Sequence, residues 1–361
     1  MKVFQSPSKY IQHKGAILHA GYHIKSAFPK VKKAGVIMPG HLMKKYESPL
    51  ISTLENPMVY DFDGECTHKN IDIIVNAFAK NNVDHVVAFG GGKVLDVGKM
   101  VAYKMESPTI IIPSSASTDA PCTALSVVYK EDGSFEEYKF FPKNPDIVLV
   151  DSEVIISAPC RYFVSGIGDA MSTFYEADAC LRNPKARNLI YPFTYRPPLI
   201  AQGIGKLCLD ILYKNGLKAK YDCMYNDVTD ALETVIEANI LLSGLGAESG
   251  GLAIAHAFHN ALTEFPECHH FLHGEKVAFG TIVQLVAEDN IAEAIRVAYF
   301  NKKIGLPYSL KDLHVHCTDE NIEKLAELCL QPGSTAYNVG YIVHDKMVAA
   351  IKDANSLFLK P

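Results

Sequence analysis

The stretch DHVVAFGGGKVLDVGKMVAY, from Asp84 to Tyr103, decides the fold class. Val86 to Phe89 form an apolar, β-rich run, Gly90, Gly91 and Gly92 make a turn, and Leu95, Val97, Gly98 and Val101 recur at helical spacing beyond it. Strand, glycine turn and helix in that order open a βαβ unit. Residues without Cβ atoms let a pyrophosphate approach the backbone, and a helix N-terminus offers unpaired N–H groups and the positive end of its dipole, to which Lys93 adds charge. The spacing is neither the dinucleotide fingerprint G-x-G-x-x-G nor a P-loop. A tight turn that only packs helix on strand has the same composition, so both readings stay open here.

Working outward, AGVIM near residue 35, MVYDF near 58, SPTIIIPSS near 107 and PDIVLVD near 145 are further short β-rich runs separated by helical patterns such as IDIIVNAFAKNN. This alternation implies a parallel sheet covered on both faces. From about Ser152 the strand signals nearly stop, and PLIAQGIGKLCLDILYKNG, ALETVIEANILLSGL and NIEKLAELCL read as helices. A chain of 361 residues exceeds what one core usually serves. The expectation is therefore an α/β domain over residues 1–155 and an all-helical domain over 156–361. RNPKARNLIYPFTYRPP, Arg182 to Pro198, interrupts the helices as an irregular connection on the surface or over a cleft.

Composition removes several classes of function. The 35 basic and 40 acidic side chains are mixed along the chain and sum to −5, with no Lys/Arg run to track a phosphate backbone, so nucleic acid is not expected as a partner. The polar start MKVFQSPSKY has no signal-like apolar region, and no apolar run approaches bilayer length, which points to a cytoplasmic protein without a membrane partner. Nine cysteines without a C-x-x-C pair read as reduced, packed thiols.

Two further segments carry chemistry. PSSASTDAPCTALSVVY follows the strand TIII with Ser114, Ser115, Ser117, Thr118, Asp119 and Thr123. Ligands of open α/β sheets sit beyond the carboxyl ends of strands, so this loop is either part of a cofactor site or a solvated loop. GLAIAHAFHNALTEFPECHHFLHGEK, Gly251 to Lys276, holds five of the fourteen histidines. His256 and His259 share a face of one helix, and His273 follows a loop. Two imidazoles and a carboxylate with an open position suit Zn²⁺ or Fe²⁺ as a Lewis acid. Asp169 in VSGIGDAMSTFYEAD is the best candidate for the carboxylate, with a helix N-cap as its alternative. His259 and His270 are proton-relay candidates or plain packed and surface residues; His269 falls with the latter.

GECTHKNI, GGGKVLD, PSSASTDAPCTALSVVY, FPKNPDIVLVD, GIGDA, LLSGLGAESGGLAIAHAFHNAL and HHFLHGEKVAFGTIVQL occur in the order in which they stand in the glycerol dehydrogenases of the iron-containing alcohol dehydrogenase superfamily, which the chain resembles from QSPSKYIQHKGAI onward. The ASTDAP and HGEKVAFGT segments are specific; GGGK alone is shared with dehydroquinate synthase relatives. The resemblance implies a dehydroquinate synthase-like architecture, NAD as cofactor, a catalytic metal that is usually zinc, with iron the alternative, and a small-molecule alcohol or ketone as substrate. It puts the metal on Asp169, His256 and His273. It maps cofactor contacts to Gly91, Gly92, Lys93, Asp96, Ser114, Ser115, Ser117, Thr123, Leu125 and Tyr129, and a substrate-hydroxyl contact to Asp119. It also implies a homo-oligomer.

The expected reaction is hydride transfer between NAD(H) and a polyol or 1,2-diol such as glycerol, or the hydroxyketone dihydroxyacetone, with His256, His273 and Asp119 in the catalytic group. A cyclase of the dehydroquinate synthase type is the alternative enzyme, and a nucleotide-binding protein with a closed four-ligand zinc is the alternative outside catalysis. Two departures bear on specificity. Met38, Pro39, Gly40 and His41 stand where the family often has an Asp for the adenosine ribose, which keeps NADP open. Phe271 and Leu272 stand beside a metal ligand where relatives often carry other side chains.

Overall fold

The computed structural model describes residues 1–357. Its strands are β1 (Lys9–Gln12), β2 (Ala34–Met38), β3 (Met58–Asp61), β4 (His85–Gly90), β5 (Thr109–Pro113), β6 (Leu125–Tyr129), β7 (Phe135–Phe140) and β8 (Ile147–Val150). Six of them form one sheet in the order β1-β8-β5-β4-β2-β3, and every adjacent pair is parallel. β2, β4, β5 and β8 are buried at every position, as strands covered on both faces must be. The covers are α1 (Ala20–Ala27), α2 (Gly40–Ile51), α3 (His68–Lys80) and α4 (Gly92–Lys104). From β2 the chain steps outward to β3 and then returns to β4 on the other side of β2. The connections therefore reverse direction between β2 and β4, and the crevice beyond their carboxyl ends is where an open α/β sheet takes its ligand.

The sequence-based reading located five of the six parallel strands. It missed β1, a four-residue edge strand of sequence KYIQ. It also missed the antiparallel β6–β7 hairpin, although the apolar run that it ended at Tyr129 is β6.

Beyond Val150 no further strand occurs among the described residues. Asp151 marks the switch: its carboxylate caps α5 (Ser152–Ile156) by accepting from Glu153 N at 3.0 Å, and also takes Gly15 N and Ile17 N. The rest is built of α6 (Cys160–Arg182), α7 (Leu199–Met224), α8 (Asp230–Glu237), α9 (Ser243–Gly250), α10 (Ile254–Leu262), α11 (His273–Ala287), α12 (Ile291–Ile304), α13 (Asp319–Cys329) and α14 (His344–Asn355). Its core gathers Phe163, Ile167 and Met171 of α6 with Phe258 of α10 and Phe279 and Ile282 of α11. Beyond Arg182, the last residue of α6, the connection through Pro198 is irregular, as its prolines imply. Among the described residues no helix is long and apolar enough to cross a membrane.

Candidate active site

Three helices converge on one carboxylate. Asp169 lies in the middle of α6 rather than at its start, so the N-cap alternative is wrong: its position is fixed by helix packing. α6 and the beginning of α11 touch through glycine. A Cβ on Gly168 would stand 2.5 Å from Gly274 O, and one on Gly274 would stand 1.9 Å from Ser165 O. Only residues without side chains permit this approach, and it brings His273 onto Asp169. His273 is the first residue of α11 rather than a loop residue. Its Nε2 stands 3.1 Å from Asp169 Oδ1, and His256 Nε2, from α10, stands 3.4 Å from the same oxygen.

One donor atom from each of Asp169, His256 and His273 lies within 4.8 Å of the others. Asp169 Oδ2 is buried and takes no hydrogen bond. A buried carboxylate oxygen with no donor costs free energy unless a cation satisfies it. Burial alone would raise the Asp169 carboxyl, but His273 and His256 outweigh it and hold it well below the usual carboxylate range.

Behind His256 stands Glu176, which sequence reasoning missed. It lies seven residues after Asp169, two turns along the same face of α6, and is fully buried. Its Oε2 stands 2.6 Å from His256 Nδ1, and its Oε1 accepts from Ala253 N at 2.7 Å and His256 N at 3.1 Å. Glu176 thus caps α10 and fixes the ring whose other nitrogen faces Asp169. A carboxylate behind a metal-binding imidazole is a recurring device, and the Asp169 to Glu176 spacing was its only trace in sequence.

The remaining histidines separate. His259 Nε2 stands 3.1 Å from His273 Nδ1 and its Nδ1 stands 3.0 Å from Asn260 Oδ1. His269 turns to Thr263 O at the surface, and His270 stacks with Phe271 and His314.

The glycine turn is resolved by what a side chain would meet. A Cβ on Gly90 would crowd Val94 at 2.7 Å and one on Gly98 would meet Ala88 Cβ at 2.2 Å, whereas Gly91 and Gly92 would meet nothing within 4 Å. The outer two glycines serve packing. Gly91 and Gly92 leave open space at the start of α4, where no side chain caps the helix. That space fits a phosphate group.

Ser114 N donates to Gly90 O at 2.9 Å, so the hydroxyl loop borders this turn. Ser115 and Ser117 face each other at 3.3 Å, and Thr123 Oγ1 donates to Ala120 O. Leu125 and Tyr129 share the half-buried face of β6. Two expected cofactor contacts are engaged elsewhere. Lys93 pairs with Glu65 at the surface. Asp96 is buried beneath β6, accepts from Val127 N at 3.3 Å and faces Lys99; burial pushes its carboxyl up to about 6.

The same loop carries Asp119 toward the triad. Its Oδ2 accepts from Ser243 Oγ at 3.1 Å, and burial followed by the charge of Asp169 pushes it up to about 6. Lys99 Nζ donates to Ala120 O and Leu125 O, and Glu248 takes Ala124 N at 2.7 Å and the amide of Asn144, so the loop is fastened from below on both sides of Cys122. Asn239, in the π-helical turn Ala238–Leu242, donates to Ala116 O at 3.2 Å. π-Turns recur at functional sites.

A family model described as iron-containing alcohol dehydrogenase matches residues 7–152. The chain is 40% identical to a glycerol dehydrogenase of Citrobacter freundii, covering 99% of this chain and 98% of that one. It is 43% identical to a glycerol dehydrogenase of Thermotoga maritima over 77% of this chain and 75% of the relative. The crystal structure of a probable glycerol dehydrogenase from Sinorhizobium meliloti superposes with a TM-score of 0.91 at 35% identity, over the whole of both chains.

Proposed function

Because the chain belongs to the iron-containing alcohol dehydrogenase family, we propose that this oxidoreductase moves a hydride between NAD(H) and a small polyol, glycerol and dihydroxyacetone being the pair to test first. Both the Citrobacter freundii and the Sinorhizobium meliloti proteins, matched along essentially the whole chain, carry the name glycerol dehydrogenase, which disfavours the cyclase reading. The observation that carries the proposal is Asp169 Oδ2, buried without a donor on a carboxylate whose other oxygen faces two imidazoles.

Asp169, His256 and His273 would hold the metal, for which we propose zinc, with ferrous iron compatible with the same donors. When bound, the ion supplies Lewis acidity that lowers the pKa of an alcohol hydroxyl, and the nicotinamide supplies the hydride acceptor. Glu176 keeps the proton of His256 on Nδ1 and leaves Nε2 as the donor atom. Asp119, steadied by Ser243, orients a second hydroxyl of the substrate, and a buried polar contact of this kind is where selectivity for a diol over a simple alcohol arises. Gly91 and Gly92 admit the pyrophosphate. Ser114, Ser115 and Ser117 offer hydroxyls beside it, while Thr123, Leu125 and Tyr129 flank the cofactor along β6. Residues 1–155 act as the cofactor half and 156–361 as the metal and substrate half.

For the choice of nucleotide, Asp61 replaces the missing acid after β2. It ends β3 in register with Met38, and its Oδ2 lies 3.2 Å from where a Gly40 Cβ would stand. A carboxylate there favours a free ribose 2′-hydroxyl over a 2′-phosphate, which supports NAD.

The test is metal content together with glycerol-dependent NADH formation in the wild type, His256→Ala and His273→Ala. The expected result is stoichiometric metal and turnover in the wild type and loss of both in the variants. Full metal content and normal turnover in either variant would overturn the reading.

A further inference from the structure

The longest helix has an outer face that the proposed chemistry does not use. α7 packs inward through small or apolar residues such as Ala201, Gly205, Cys208, Leu212 and Gly216. Its outward positions are Ile200, Gly203, Leu207, Asp210, Lys214, Leu217, Tyr221 and Met224, all exposed. Their spacing alternates three and four residues over the whole helix, the pattern of a seam that meets another helix. Leu207 is 53% exposed, Tyr221 50% and Met224 53%. Large apolar side chains gathered in one line on a surface mark an interaction site rather than ordinary scatter.

The order of residues along the stripe identifies the partner. Counted from Leu212, Asp210 and Lys214 lie two residues to either side, Leu207 and Leu217 five, Gly203 and Tyr221 nine, and Ile200 and Met224 twelve. Leu199 and Tyr225, also exposed, lie thirteen to either side. An isologous contact repeats one patch on both copies, so each residue must suit its mirror position across the two-fold axis. Within the stripe the mirror pairs are matched: acid with base, leucine with leucine, glycine with tyrosine, and apolar with apolar at both ends, while Lys206 and Lys218 at its edge, six residues to either side, are held by Asp210 and Asp222 of their own helix. Asp210 is paired within its own helix to Lys206, and Lys214 has no acidic partner among the described residues.

We propose that the exposed face of α7 is a two-fold antiparallel interface with a second copy of this chain. Asp210 meets Lys214 of the second copy twice across the axis, Leu207 packs on its Leu217, and Gly203 makes room for its Tyr221. The two helices align over about 39 Å at 1.5 Å per residue. The alternation of apolar layers with the central charge pairs sets the register, because a slip of one turn would bury a charge against leucine.

The test is the mass of the full-length protein by sedimentation velocity over a concentration series, with thermal melts as a control for folding. Leu207→Glu and Asp210→Lys are both at exposed positions and are expected to leave a cooperative melt, lowered only by the stabilisation that the contact itself supplies. Each should raise the dissociation constant of this contact about tenfold or more, halving the mass of the assembly at intermediate concentration. The double reversal D210K/K214D should bring the constant back to within about threefold of wild type, because it exchanges the two charges of each pair. A wild type that stays monomeric at every concentration overturns the proposal. So does an unchanged mass in Asp210→Lys, or a double variant no better than the single one.

Discussion

Glu176 Oε2 stands 2.6 Å from His256 Nδ1, while the other oxygen of the same carboxylate takes the N–H groups of Ala253 and His256. One buried side chain therefore fixes both the ring that faces Asp169 and the start of the helix that carries it. In Glu176→Gln an amide N–H replaces one acceptor, so either the ring loses its partner or the helix loses its cap. Zinc affinity, measured by competition with a chelator, should fall about ten- to hundredfold. An affinity equal to wild type would mean that Glu176 is only a helix cap.

The glycine turn separates into two roles that a pair of substitutions can read independently. Gly92→Ala adds a methyl group to space that no protein atom fills, so the melting temperature should hold while NADH binding by fluorescence titration weakens. Gly98→Ala drives its Cβ to 2.2 Å from that of Ala88 and should cost about 1–3 kcal/mol of stability as overpacking. Unaltered NADH affinity in Gly92→Ala would remove the phosphate from this turn.

Much of this was legible in the residues, and the failures have physical causes. Buried parallel strands advertise themselves as apolar runs, and five were found. KYIQ carries no such run because an edge strand is half exposed, and FEEYKF of β7 is exposed along most of its length. Asp169, His256 and His273 are recognisable by donor type and by the motifs around them. Glu176 is not, since a glutamate within a helix usually faces water, and only the packing of α10 on α6 shows that this one is buried. Asp96 and Lys93 sit in the right motif, yet their side chains turn to Val127 and Glu65, a matter of rotamer and neighbour that spacing does not encode. The stripe on α7 is visible as a pattern, but which face of that helix is buried follows from the fold.

Stability should fall as pH rises through the weakly acidic range, and Glu248 is one cause. Burial pushes its carboxyl up to about 7, against hydrogen bonds from Asn144 and Ala124 N that lower it. The unfolded chain releases this proton near the ordinary glutamate value of about 4.3. Between those two values the folded state holds more protons than the unfolded one, so the contribution is full at the acid end and is lost on approaching neutrality. Asp96, raised to about 6, acts with the same sign. Glu248→Gln should flatten this decline by up to about 3 kcal/mol between acid and neutral pH. Urea denaturation at several pH values measures it, and an identical slope in wild type and variant would show that Glu248 ionises normally when folded.

Asp61 makes the nucleotide preference testable away from the chemistry. Its carboxylate lies at the carboxyl end of β3, across from Met38, and is exposed, so removing its charge perturbs neither core nor metal ligands. A carboxylate at this edge accepts from a ribose 2′-hydroxyl and repels a 2′-phosphate. Asp61→Asn removes the repulsion but keeps the volume, so NADPH should bind about tenfold or more tightly than it does to wild type, with a smaller loss for NADH. Parallel fluorescence titrations with the two nucleotides supply the ratio. If the ratio does not move, the adenosine ribose lies away from β3, and the discrimination must come from the first turn of α2, where Gly40 and His41 stand.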